Sequence, residues 1–428
     1  MTSSPVFSKR PVALAVAVCA LVSGLSACRG GYGSRHSAPS SPGVYAMSGS
    51  GSGGSVASTG GEKVLEGLPW HPDVMRVDIG ATGPVALTGL YLMDQDLLAV
   101  DTTGRLVCLS RRDLNANWVS TLKYPLAFPP TQSATHYVFV EKDNQGAYWI
   151  QAFTRRSGAE SDRSPIRLAF SATTGAAATM SAAYVGSLGS PRDNKTLEAI
   201  NLQDGSVGWG VYTSGRILAT PMMTDSGESF IIASEDKSVA SYPANPAGAG
   251  SQKPLWEMNT FAANRCAPAL TKDLMFLGSD DNMLRCMDVH SGSVIWMKGC
   301  DAPIRKSPWT LGSQVSTASA SAEGVAKTSV EAFKGYVFVK NEIGLHAFDA
   351  MSGEEVFKDA GAERPVVMVG DYVVTLGSSR NGQIRKGKGL PVVSQVGLGS
   401  FDFVPTNSKD GVLYVGYGDG TILAASPK

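Results

Sequence analysis

Residues 266–298 read CAPALTKDLMFLGSDDNMLRCMDVHSGSVIWMK and divide into four short extended runs. CAPALT (266–271) comes first. LMFLGS (274–279) and MLRCMDV (283–289) follow, separated by the turn SDDN (279–282). After the turn HSG (290–292), SVIWMK (293–298) carries a tryptophan. Short apolar runs bounded by Gly, Asp, Asn and Ser clusters are strands joined by hairpins.

The pattern recurs along the chain. Trp118 is followed by Pro130, Trp209 by Pro221, Trp256 by Pro268 and Trp296 by Pro308, each after twelve residues. QDGSVGW (203–209) and HSGSVIW (290–296) match closely, and MSGEEVF (351–357) places Phe357 where the others have Trp. A unit repeating at roughly 40–47 residues is the mark of four-stranded propeller blades. Copies fall at 96–122, 137–170, 182–212, 231–258, 266–298, 336–358 and 372–396; the one at 137–170 has no tryptophan in its last strand, and the one at 372–396 is also degenerate. The last copy supplies FDFVPTN and LYVGYGDGTILAAS (413–426) but no fourth strand, which VMRVDIG (74–80) can provide. The expected fold is therefore all-β: an eight-bladed propeller of four-stranded antiparallel blades, or seven-bladed if one degenerate copy is not a blade. Pairing of the N-terminal strand with the C-terminal blade closes the ring and removes its open edge.

The recurring residues have physical roles in such a ring. Gly205 and Gly292 allow tight turns between strands three and four. Trp118, Trp209, Trp256, Trp296 and Phe357 are expected to pack between neighbouring blades, since an aromatic there buries a large apolar area. Ligand stacking is the rival reading, but the tryptophans follow the period of the fold. Proline at the start of the innermost strand avoids a ladder position that needs an N–H.

Ahead of the repeats lie two other segments. Lys9 and Arg10 precede the apolar run VALAVAVCALV (12–22) and then LSAC (25–28), the layout of a secretory leader too short to span a bilayer comfortably. LSAC resembles the lipobox of bacterial lipoproteins, which makes residues 1–27 a signal peptide and Cys28 the acylated first residue. At about 0.8 kcal/mol per buried CH₂, two or three acyl chains anchor a protein essentially permanently. Arg29 in place of Asp resembles the default outer-membrane address. Residues 28–62 continue as a Gly/Ser-rich tether with too little apolar surface to order itself, reaching roughly 30–35 Å. Residues 63–428 form the propeller.

Charge and cysteine content narrow the function classes. The sequence has 37 basic and 37 acidic residues, and loss of Lys9 and Arg10 with the leader makes the remainder slightly acidic. Nothing basic points to nucleic acid or an anionic membrane surface. Beyond Cys28, the mature cysteines are Cys108, Cys266, Cys286 and Cys300. Cys266 (NRCAP) and Cys300 (GCDAP) share a blade-edge context and are the candidate disulfide. Cys108 and Cys286 occupy equivalent strands of distant blades and read as small buried residues.

LGSDDNMLRCMDVHSGSVIW (277–296), VKNEIGLHAFDAMSGEEVF (339–357) and VGYGDGTILAAS (415–426) resemble the PQQ-like propeller repeat. With the lipobox, the whole resembles the BamB family of envelope lipoproteins. That resemblance implies a non-enzymatic scaffold in outer-membrane β-barrel assembly, held by its lipid in the outer membrane and facing the periplasm. Its implied partners are the barrel-assembly subunit and unfolded outer-membrane proteins. No stretch matches the family's partner-binding loops residue by residue, so those residues are unassigned.

Two alternatives use the same repeat. A PQQ-dependent quinoprotein dehydrogenase needs a cofactor site, and the resemblance implies adjacent cysteines that this chain lacks. His36, His71, His136, His290 and His346 have no metal-ligand spacing, and Asp280-Asp281-Asn282 reads as a hairpin turn without the other ligands of a cation loop. No catalytic residue, metal or cofactor is assigned. A propeller sensing a small ligand or peptide in its funnel is the other alternative. The main irregularity is an insertion at 311–333, read as a disordered loop or a short helix over 320–333.

Overall fold

The computed structural model describes residues 68–80, 86–188, 195–245, 250–318, 329–398 and 401–428. All of the described residues belong to one compact unit. Among the described residues there are strands and no helices. The strands form eight sheets, one for each expected blade.

The fifth blade shows the plan. Ala269–Leu270, Leu274–Gly278, Met283–Asp288 and Val294–Gly299 pair in order as an antiparallel meander. The eighth blade is built from both ends of the repeat region. Leu413–Gly416 pairs with Thr421–Pro427, which pairs with Trp70–Asp78, and a bridge from Phe403 to Gly416 adds the start of strand one. The N-terminal strand thus supplies the outermost strand of the C-terminal blade.

The buried apolar side chains fall into eight clusters, and each cluster lies between two neighbouring sheets. Phe276, Cys286, Val337 and Phe348 join the fifth and sixth blades. Ile79, Leu97, Val107, Tyr414 and Ile422 join the eighth to the first and complete the circle. Sheets with two apolar faces can bury both only against neighbours on each side, so a closed ring is the arrangement that leaves no face exposed.

In five blades the ladder between strands three and four skips one residue. The extra residue is Asn117, Gly208, Ile295, Val356 or Val393, and it immediately precedes Trp118, Trp209, Trp296, Phe357 or Ser394. A bulge raises local twist and bends the strand, which swings the following side chain toward the next blade. The residue directly across from the aromatic is small each time: Cys108 opposite Trp118, Ala199 opposite Trp209, Ser241 opposite Trp256, Cys286 opposite Trp296 and Ala347 opposite Phe357.

The insertion differs from its expectation. Trp309–Ala318 and Ser329–Lys340 pair through ten consecutive positions, from Trp309 with Phe338 to Ala318 with Ser329. Residues 311–318 and 329–333 are therefore an extended hairpin of the sixth blade, neither helix nor loop. Ladder bonds continued outward from an existing hairpin override the modest helix preference of an Ala-rich stretch. The intervening residues 319–328 lie outside the described residues, as do Cys28 and the leader and tether (1–62).

Candidate functional site

In each meander the connections between strands one and two, and between three and four, lie at the same end. One face of the ring therefore carries all of these turns, together with the sixth-blade hairpin.

The aromatic positions reach this face at the blade boundaries. Trp118 Nε1 donates to Arg155 O at 2.8 Å, Trp256 Nε1 to Val289 O at 2.9 Å and Trp296 Nε1 to Ala350 O at 3.0 Å. Each acceptor lies at the three–four turn of the following blade. That turn carries a glycine at positive φ, Gly158, Gly292 or Gly353, with the indole against it. Trp209 lies against Phe230 of the fourth blade, ring centroids 6.0 Å apart. Phe357 sits under the Arg385 guanidinium of the seventh blade at 4.6 Å. In the second blade Ile166 takes the aromatic's place, in contact with the Gly205 position of the third.

The junction between the eighth and first blades is polar on this face. Arg111, 5% exposed, reaches Asp410 Oδ2 at 2.6 Å. Its guanidinium also donates to Asn407 Oδ1 at 3.1 Å and to the carbonyls of Met93 and Asp94 at 2.9 Å each. Tyr414 Oη donates to Arg111 O at 3.1 Å. Lys409 pairs with Asp94 beside this latch. Burial raises the Asp94 carboxyl, but Lys409 and Gln132 outweigh it and hold the group below the usual range.

Open depressions separate these features. One of about 740 Å³ runs past the first four blades, lined by Met93, Gln132, Arg155, Met180, Met222 and Asp225 among others. Another of about 430 Å³ lies at the foot of the sixth-blade hairpin, against Met368–Asp371 and Asn407–Gly411.

At the boundary of the first and second blades, Glu141 is fully buried. Its Oε2 accepts the Tyr124 amide at 2.7 Å, while Oε1 has no protein partner. Burial pushes its carboxyl up to about 7 despite that hydrogen bond, and nearby Glu160 adds to the rise.

The cysteines, the acidic turn and the histidines resolve into ordinary packing and pairing. Cys108, Cys266, Cys286 and Cys300 are all buried free thiols, so the Cys266–Cys300 disulfide is not formed. Both cysteines sit in the cluster between the fifth and sixth blades. The Cys266 thiol is taken up by the carbonyls of Gly278 at 3.5 Å and Ile304 at 3.7 Å. Asp280 is held by Arg265 and Arg305, each at 2.8 Å, and Asp281 by Arg285 at 2.5 Å. His346 Nδ1 lies 2.7 Å from Glu355 Oε1. Among the described residues no group of three or more His, Cys, Asp or Glu is placed to hold a metal.

Sequence reasoning misses Arg111, Asp410 and Asn407, because nothing in KDG or SRRD marks a contact across some three hundred residues. Glu141 does carry a signal: it is the charge that directly follows the apolar run YVFV (137–140).

Eight meanders closed by the N-terminal strand define the chain as a β-propeller. No protein-family model matches the sequence, and no curated protein is similar to it. Solved structures are similar in fold. BamB from Moraxella catarrhalis superposes with a TM-score of 0.55 at 16% identity, covering 83% of this chain and 97% of that one. The C-terminal WD40 domain of Sif2 gives 0.53 at 11%, covering 83% and 99%. The computationally designed Ika8 protein gives 0.53 at 11%, covering 80% and 97%.

Proposed function

We propose that this chain is an envelope-anchored, non-enzymatic propeller scaffold that docks other proteins, with a role in outer-membrane protein assembly. The observation that carries the reading is the eight-bladed ring with a BamB among its structural neighbours. The lipobox-like LSAC at 25–28 and the tether at 28–62 support attachment through acylated Cys28 to the outer membrane, with the ring on the periplasmic side. The ring presents a broad face of turns, depressions and an extended hairpin, a geometry suited to protein surfaces. Docking through strand edges or loops to extended partner segments is the mechanism such a body offers. Function at this level leans on likeness of fold, so the partner itself is the test.

The experiment is an affinity pull-down of the lipidated protein from gently solubilised envelopes, with bound proteins identified by mass spectrometry. Recovery of the barrel-assembly subunit is the expected result. Recovery of other envelope proteins, or of a bound quinone, in its place would leave the ring standing and sink the assembly role. Metabolic labelling with an alkyne fatty acid tests the anchor: label is expected on the wild type and absent from Cys28→Ser.

A further inference from the structure

Most blades of this ring disrupt or cover their outer strand edges, and the sixth-blade hairpin does not. Five outer strands carry a bulge beside the aromatic position. The third blade's outer strand is covered by the chain itself, with Gly250–Ser251 added in parallel beside Trp209 and Gly210. Bulges and coverings of this kind keep free backbone groups from recruiting further strands.

The hairpin has neither device. Its ten pairs run without a register shift. Pairing of its second strand with the next strand of the blade stops at Tyr336, followed only by a bond from the Ala350 amide to Gly335 O at 3.0 Å. Beyond that point six pairs, Ser313 with Lys334 through Ala318 with Ser329, form a ribbon about 20 Å long. Among the described residues no third strand pairs with either of its edges. The Ser313–Ala318 edge, SQVSTA, contains no charge and no proline. A two-stranded ribbon is marginally stable in water by itself, and a third strand is what stabilises it.

The foot of the ribbon is built to a fixed shape. Gly312 and Gly335 face each other across the ladder. A Cβ on Gly312 would meet Gly335 Cα at 2.7 Å, and one on Gly335 would meet Leu311 O at 2.2 Å. The two strands therefore pass closer here than side chains permit. Phe333, just beyond, is anchored in the core between the fifth and sixth blades.

We infer that Ser313–Ala318 is a strand-capture edge, which takes an extended segment of a partner polypeptide as a third strand of the hairpin. A row of alternating amide N–H and C=O groups is matched by another extended backbone, so the occupant is an extended polypeptide segment recognised through its main chain. The inference rests on the scaffold reading above and names where in the ring that reading operates.

The test uses the full-length protein and a fluorescent ten-residue peptide of alternating valine and threonine, with a second peptide N-methylated at every other amide. The shortened variant replaces residues 315–332 by Asn-Gly, which closes a two-residue hairpin turn on the Gln314–Phe333 pair and keeps Phe333 in the core. The wild type is expected to bind the plain peptide and to protect amides within 313–318 from hydrogen exchange. The N-methylated peptide and the shortened variant should each weaken binding at least tenfold, with the thermal midpoint unchanged. Equal binding by the N-methylated peptide, or by the shortened variant, overturns the proposal. So does a wild type that ignores the peptide but still recovers envelope proteins in the pull-down; loss of both results would remove the scaffold reading itself.

Discussion

Trp296 of the fifth blade donates its indole N–H to Ala350 O of the sixth at 3.0 Å, over the turn that contains Gly353. The same arrangement joins Trp256 to Val289 and Gly292, and Trp118 to Arg155 and Gly158. Each three–four turn therefore has two duties: it closes its own hairpin and seats the aromatic of the blade before it.

That double duty separates two glycines that look alike by backbone. Gly353 and Gly227 have φ of +68° and +70°, but a Cβ at Gly353 would lie 2.7 Å from Trp296 Cδ2, whereas nothing lies within 4 Å at Gly227. Both alanine substitutions cost the conformational penalty of about 1–2 kcal/mol. Gly353→Ala should cost at least a further ~1 kcal/mol through the displaced indole. Denaturant unfolding of the two variants measures the difference, and equal losses would disprove the seating role.

Glu141 should make the ring less stable as pH rises from mild acid to neutrality. Its carboxyl is raised to about 7 in the folded chain, well above the ordinary value. Its contribution is therefore fully present below the unfolded value and is lost as pH rises through about 7, by at most ~3 kcal/mol. Glu141→Gln keeps the shape without the charge. The expected result is a melting temperature that falls between pH 5 and pH 8 in the wild type by more than it does in the variant.

The latch at the closing junction should be costly to open. Arg111→Met leaves the carbonyls of Met93 and Asp94 without their donor and Asp410 without its cation. Removing one partner of a buried pair costs about 3–5 kcal/mol; Arg111 is buried but Asp410 is exposed to solvent, which puts the expectation below that range. Chemical denaturation reads the loss, and limited proteolysis should place the first cuts near the eighth blade.

The four described thiols should be silent in the folded protein. Burial pushes Cys108, Cys266, Cys286 and Cys300 each up to about 12, so almost no thiolate forms near neutral pH. Iodoacetamide should label none of them before denaturation and all four after it. Intact-mass analysis without reductant should show no loss of two hydrogens between Cys266 and Cys300.

The blades are legible because a repeat is a local property. Turn residues, apolar runs and Trp all fall within one 40–47-residue window, and the absent fourth strand of the last copy points to its replacement at the other end of the chain. Relationships between blades are not legible in the same way. The Trp296–Gly353 contact joins residues that each look like part of their own hairpin, and Arg111 meets Asp410 only once the circle is complete. The disulfide expectation for Cys266 and Cys300 uses matching local context, but context sets both residues in an apolar core, where carbonyls take up the Cys266 thiol. The hairpin over 311–333 is hidden because its Ala, Ser and Thr are weak formers of any element, and its strands are continuations of a ladder begun inside the blade.

The strand Trp70–Asp78 waits for its neighbour longer than any other in the ring. Trp70 Nε1 bonds to Gly411 O across 341 positions of sequence. Pairing across so long a separation comes after the local hairpins have formed, so the earliest strand stays unmatched while the other blades assemble. Chaperone dependence and aggregation of weakened variants should therefore be decided before the circle is fastened.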